Sequence, residues 1–176
     1  MYPFIRMINA IRKAKKQSRI SLFEKQTVSI RVYPWDLDIF NELNNGRALT
    51  LYDLGRFSLS VRSGLDKVLK HQKLGLTVAG SFVRYRSRVR AWQKIDITAQ
   101  CVGVDDKFFY MLQNMYRNGE PVGQVLLRAA LTRKKIVPPQ ELIDLLQISA
   151  SDVPKLPQWV KDLATADSGR PWPPEE

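Results

Sequence analysis

Asn44-Asn-Gly-Arg-Ala-Leu-Thr-Leu-Tyr-Asp-Leu-Gly-Arg-Phe-Ser-Leu-Ser-Val-Arg62 is the stretch on which the fold turns. It holds no proline, and charge falls only at Arg47, Asp53, Arg56 and Arg62. Ala48, Leu51, Tyr52, Gly55 and Leu59 share one helical stripe, while Leu54, Phe57, Ser58 and Val61 share another nearly opposite. A helix with so little polar surface must be covered on most sides. Asn44 or Asn45 can cap its first turn through a side-chain oxygen, and Gly64 suits a left-handed end.

Outward from this helix the pattern becomes extended. Four runs follow: Leu76 to Arg90, Lys94 to Val104, Lys107 to Arg117 and Val122 to Arg133. In the second, Ile95, Ile97, Ala99 and Cys101 alternate with Lys94, Asp96, Thr98 and Gln100, the mark of a half-buried strand. Asp105-Asp106 and Asn118-Gly119 supply turns, the latter a strong hairpin signal. Pro138-Pro139 opens a short helix with Glu141 in its first turn. Upstream, Val28 to Val32 alternates as a strand halted by Pro34. These signals predict an α+β domain over residues 28–150, a curved antiparallel meander wrapped around one long helix.

Two flanks complete the chain. Residues 1–27 form a basic arm in which Phe4, Ile8 and Ile11 recur at helical spacing ahead of Arg12, Lys13, Lys15, Lys16 and Arg19. Such an arm packs on the domain or frays; residues 1–19 also suit peripheral contact with an anionic membrane. Residues 151–176 carry five prolines and little apolar periodicity, which predicts an extended tail.

The chain has 176 residues, 44% of them apolar, enough for one cored domain. A single cysteine, Cys101, forbids an intrachain disulfide, and with His71 as the one histidine no multi-His or Cys-rich metal site can form. Cys101 lies on the apolar phase of its strand and reads as an inert core thiol; His71 reads as a solvent-facing residue after a lysine-rich turn. The net charge of +11 is concentrated: residues 1–27 hold seven Lys/Arg against one acid. It favours anionic partners without choosing among them. No aromatic RNA-binding signature or recognition-helix motif is present, so no nucleic-acid partner is expected. The start reads poorly as a signal peptide, and a cytoplasmic protein is the simpler expectation.

Between the first strand and the helix, Asp36, Asp38, Asn44, Asn45, Asp53 and Arg56 stand in one ungapped register. The segment resembles acyl-CoA thioesterases of the 4-hydroxybenzoyl-CoA thioesterase type, whose signature D-x-D-x-x-G-H-x-N-N runs into a helix carrying an acid and then an arginine. It is more similar still to a bacterial and vertebrate thioesterase-like subgroup that pairs D-L-D, N-N-x-R and D-x-x-R with a later G-x-D-D-K-x-F-Y. That later piece stands here as Gly103-Val-Asp-Asp-Lys-Phe-Phe-Tyr110. Asn41 replaces the usual glycine and Glu42 the usual histidine. The first change bears on the loop's backbone angles. The second removes any role for that imidazole.

The resemblance implies a hotdog fold and hydrolysis of a fatty or aryl acyl-CoA to free acid and coenzyme A, with no cofactor beyond the coenzyme A of the substrate. It implies Asp38 as nucleophile or general base and the backbone N–H near Asn45 as donor to the developing oxyanion. Asp38 as a mere turn cap is the competing account. Asp36 reads as a loop hydrogen-bond acceptor, and Asn44 and Asn45 as caps. Asp53 reads as the ion-pair partner of Arg56 and as a reserve catalytic acid, because other hotdog thioesterases carry theirs on the central helix. Arg84, Arg86, Arg88 and Arg90 alternate on the first long run, and on one strand face they would grip the phosphates of coenzyme A, alone or with Lys94 or Lys134; a solvated basic face is the equal alternative. Tyr85 and Tyr110 read as packing residues. A homodimer or homotetramer is implied. A non-catalytic module holding acyl thioesters is the alternative function, motivated by Asn41 and Glu42.

Overall fold

Helix α2 (Asn45–Ser63) forms where the apolar stripes place it, with the Asn44 side chain accepting from Arg47 N at 3.0 Å and Gly64 closing it at φ 79°. The computed structural model describes residues 2–171 and 173. Strands β1 (Gln26–Arg31), β2 (Gly75–Tyr85), β3 (Lys94–Val104), β4 (Phe108–Arg117), β5 (Glu120–Thr132) and β6 (Ile136–Val137) form one antiparallel sheet in the order β1-β3-β4-β5-β2, with β6 added on β5. Asn118 and Gly119 both take positive φ, the geometry of a two-residue hairpin turn between β4 and β5.

The core lies between α2 and the inner face of the sheet, where Leu51, Leu54 and Leu59 of α2 meet Ile95, Ile97, Ala99 and Cys101 of β3. Gly55 permits this approach: a Cβ there would stand 3.2 Å from Ile97 Cγ2 and 3.3 Å from the Ala99 Cβ. The other side of α2 is covered by α1 (Phe4–Lys15) through buried Ala10 and Ala14. A long, weakly polar helix is thus sandwiched, as its two stripes require.

Three expectations change. The run from Leu76 ends as a strand at Tyr85, not Arg90, because Arg86 N and Ser87 N both turn onto the Val122 carbonyl, at 2.9 and 3.2 Å, and the ladder stops. Leu65–Gln72 forms a further helix, α3, that lifts His71 onto an exposed helical position, not a turn. The tail is not extended throughout. After α4 (Pro139–Leu145), α5 (Gln158–Ser168) packs Val160 and Leu163 on the outer sheet face against Val102, Tyr110 and Leu126. The ion pair Arg128–Asp167, at 2.7 Å, ties α5 to β5. Val160, Leu163 and Ala164 follow Pro157 at helical spacing, a signal that the prolines of the tail masked.

Candidate active site

The segment from Tyr33 to Asn44 joins β1 to α2, and its two aspartates behave differently. Asp36 is 1% exposed; its Oδ2 accepts Tyr33 N at 2.9 Å and Arg6 Nη2 at 2.8 Å, and the Arg47 guanidinium forms an ion pair with its Oδ1 at 3.3 Å. Its carbonyl accepts Asn44 N at 3.0 Å, so this residue staples the segment to both helices, the loop-acceptor role read from the sequence.

Asp38 stands at the base of a small loop. Its N–H donates to the Glu42 carbonyl at 2.8 Å, and its Oδ1 accepts Phe40 N at 2.8 Å and Glu42 N at 3.3 Å. Oδ2 takes no protein donor among the described residues. Asn41, in this loop, has φ 57°, the left-handed region. Asparagine is among the few non-glycine residues that enter it readily, so a loop bend that glycine would permit is retained here.

Beyond the loop a cavity of about 210 Å³ opens at the first turn of α2. Its polar lining comprises Glu42, Asn45, Tyr85, Ser87, Arg86 and Arg88, and its buried lining includes Ala48, Tyr52, Val89, Met115 and Val122. Glu42 pairs with Arg88 at 2.9 Å, and the Tyr85 hydroxyl donates to the Asn45 carbonyl at 3.1 Å. The Asn45 N–H stands at the open end of the helix, where it has no intrahelical carbonyl to receive it, and the helix dipole favours negative charge there. Burial raises the pKa of Tyr52, and partial desolvation raises that of Tyr85, so both phenols stay neutral near neutral pH.

Asn45 lies in the first turn of α2 on this cavity, and two readings of the sequence meet the structure differently. The four arginines do not share a strand face: Arg84 lies in β2 opposite Gln124, Arg86 and Arg88 lie beyond the strand on the cavity, and Arg90 lies farther along with its N–H on Gln93 Oε1 at 2.9 Å. The cavity lining includes Glu42 and not Asp38. Glu42 entered the sequence reading only as a departure from a signature. An acid beside Asn44-Asn45, with a basic run elsewhere to pair with it, was the available signal. Tyr85, read as packing, is instead an exposed residue reaching the start of α2.

Asp53 faces elsewhere. It is ion-paired to Arg56 and accepts the Tyr2 hydroxyl at 2.8 Å. Arg56 in turn donates to Gln113 Oε1 at 2.9 Å, and Gln113 Nε2 donates to the Tyr52 carbonyl at 2.7 Å. Burial pushes the Arg56 guanidinium down to about 10, still protonated at neutral pH. Asp53 and Arg56 border a second cavity, about 280 Å³, farther along α2 and lined by Leu22, Leu59, Leu65, Leu69, Leu76 and Met111 among others. Cys101 is buried, its thiol pushed up to about 12 by burial, which matches an inert core thiol. Tyr110 is buried on the outer face and donates to Asp105 Oδ2 at 2.6 Å.

A single long helix filling an antiparallel sheet, with its first turn opening on a polar cavity, defines the hotdog architecture. The model of the thioesterase-like superfamily matches residues 32–162, and the chain belongs to that superfamily. Protein THEM6 from Xenopus laevis is 34% identical over 111 residues, covering 62% of this chain and 54% of that protein; the match thus spans about half the length of that relative. Among solved structures, the probable thioesterase YbaW from Escherichia coli superposes with a TM-score of 0.65 at 20% identity, covering 69% of this chain and 96% of that one. A hypothetical thioesterase from Streptococcus pneumoniae, solved with coenzyme A, gives 0.53 at 16% identity, covering 68% and 85%.

Proposed function

We propose that the protein is an acyl-CoA thioesterase that hydrolyses a fatty acyl thioester in the cavity at the start of α2. One juxtaposition carries the reading: the open first-turn residue Asn45 shares a cavity with Glu42, Arg86 and Arg88, and Glu42 closes the loop that bears Asp38. The thioester carbonyl accepts a first-turn N–H, which stabilises the oxyanion as the tetrahedral centre forms. Asp38 has one oxygen committed to the loop and the other open, so it serves as nucleophile or as base for water, in line with the resemblance to the 4-hydroxybenzoyl-CoA thioesterase type. With Asp38 as base, water's oxygen bonds to the carbonyl carbon, its proton passes to the carboxylate, and collapse breaks the C–S bond to release coenzyme A thiolate and the acid. Arg86 and Arg88 meet the phosphates of coenzyme A, a ligand present in the related Streptococcus structure.

The leucine-lined cavity farther along α2 favours an aliphatic over an aryl acyl group, since it offers apolar surface and few polar partners. The site is completed by a second subunit in a homodimer or homotetramer; light scattering of the purified protein tests this. Thiol release from acyl-CoAs of graded chain length tests the function, and turnover that rises with an aliphatic chain is the expected result. A second reading has its own observation: Asp38 Oδ1 is occupied by two loop amides and the residue is absent from the cavity lining, as suits a module that holds acyl thioesters uncleaved. Saturable acyl-CoA binding without thiol release would establish that reading instead.

A further inference from the structure

We propose that α1 is a docking helix that seats the protein on the surface of an anionic lipid bilayer. Its inward face is short and small, Ala10 and Ala14, and that face is already used against α2. Its outward face is divided along its length. Phe4, Ile5 and Ile8, in the N-terminal half, are 58%, 78% and 45% exposed. Arg12, Lys15 and Lys16 project from the outward side of the C-terminal end and are exposed. Scattered exposed apolar residues need no explanation, but three within two turns make a patch that does.

The patch continues off the helix. Trp35, 67% exposed, lines one cleft of about 850 Å³ together with Pro3, Phe4 and Ile5. It is held outward by stacking on Tyr33, whose ring also receives the Arg6 guanidinium at 4.7 Å. Nor can α1 roll to hide its apolar side. The Tyr2 hydroxyl is bound to Asp53 and Arg6 to Asp36, each at 2.8 Å, which fixes the helix about its axis.

Charge decides the occupant. An apolar patch could be covered by a second copy, but apposing two such faces would bring together two arms that each hold seven Lys/Arg and one acid. Anionic headgroups neutralise the basic end while Phe4, Ile5, Ile8 and Trp35 enter the acyl boundary, the division of labour of an interfacial helix. At 12 residues α1 is too short to cross a bilayer, so the helix lies along one leaflet.

The test is sedimentation of the full chain with vesicles of phosphatidylcholine alone and of phosphatidylcholine mixed with phosphatidylglycerol. Binding to the mixed vesicles, weakened by salt, is expected. Lys15→Glu with Lys16→Glu should lower partitioning by on the order of tenfold to a hundredfold, and Ile5→Glu should abolish it. Because these side chains are exposed, unchanged circular dichroism and melting will show that the variants fold. No binding to mixed vesicles, equal binding to both kinds, or binding indifferent to Ile5→Glu would each overturn the proposal. Loss of a dimer in Ile5→Glu, with no vesicle binding by the parent chain, would assign the patch to a second copy. Neither readout depends on thioesterase activity.

Discussion

The turn at residues 33–37 and the loop at residues 38–42 are adjacent in the chain and opposite in character. The first is closed by charge: Asp36 is buried between Arg6 and Arg47 and holds α1, the turn and α2 together. The second is closed by backbone amides on Asp38 and by the Glu42–Arg88 pair, and it borders an open cavity through Glu42. The difference separates two uses of a carboxylate. One enclosed between two guanidinium groups is held to a structural task, whereas one with an unclaimed oxygen keeps the capacity to accept a proton.

That contrast can be broken by exchanging one atom in each residue. Asp38→Asn is expected to lower thioester turnover by roughly 10²–10⁴-fold with little change in melting temperature, as read by thiol release and calorimetry on the same sample. Asp36→Asn should do the reverse: it leaves two guanidinium groups facing a neutral amide, at a cost of about 3–5 kcal/mol in denaturant unfolding, while surviving folded protein keeps its acid at position 38. If both variants lose activity in proportion to lost stability, the division of roles fails.

Smaller effects sharpen it. Arg88→Ala removes a cationic side chain of the cavity and the partner of Glu42. A loss of about 1.5–3 kcal/mol in coenzyme A affinity is expected, seen as a raised KM with kcat largely retained. Asn41→Val tests the loop backbone at φ 57°: a β-branched residue there should cost about 1–2 kcal/mol, and Asn41→Gly should be nearly neutral. Equal tolerance of valine and glycine would show that the left-handed bend does not hold the loop in solution.

Much of the fold was legible because its signals are local. Asn44 and Gly64 mark the ends of α2 through their own side chain and backbone, and β3 begins and ends where its alternation does. The hairpin at Asn118-Gly119 likewise needs only two residues that accept positive φ. The end of β2 was not legible, since it depends on where a carbonyl from another strand, that of Val122, receives its last donors. With the ladder lost after Tyr85, the alternation of Arg86, Arg88 and Arg90 no longer carries a common direction.

By itself the sequence determined that one long apolar helix would be capped, covered and faced by an antiparallel meander, because caps, turns and periodicity act within a few residues. Only the tertiary structure decided which aspartate is enclosed, that Glu42 borders the cavity, and that α1 turns Phe4, Ile5 and Ile8 outward. Each of those outcomes is set by partners brought from distant parts of the chain: Arg6 reaches Asp36, Arg88 reaches Glu42, and Tyr2 reaches Asp53. A carboxylate's environment, unlike a helix cap, is a property of the packing around it.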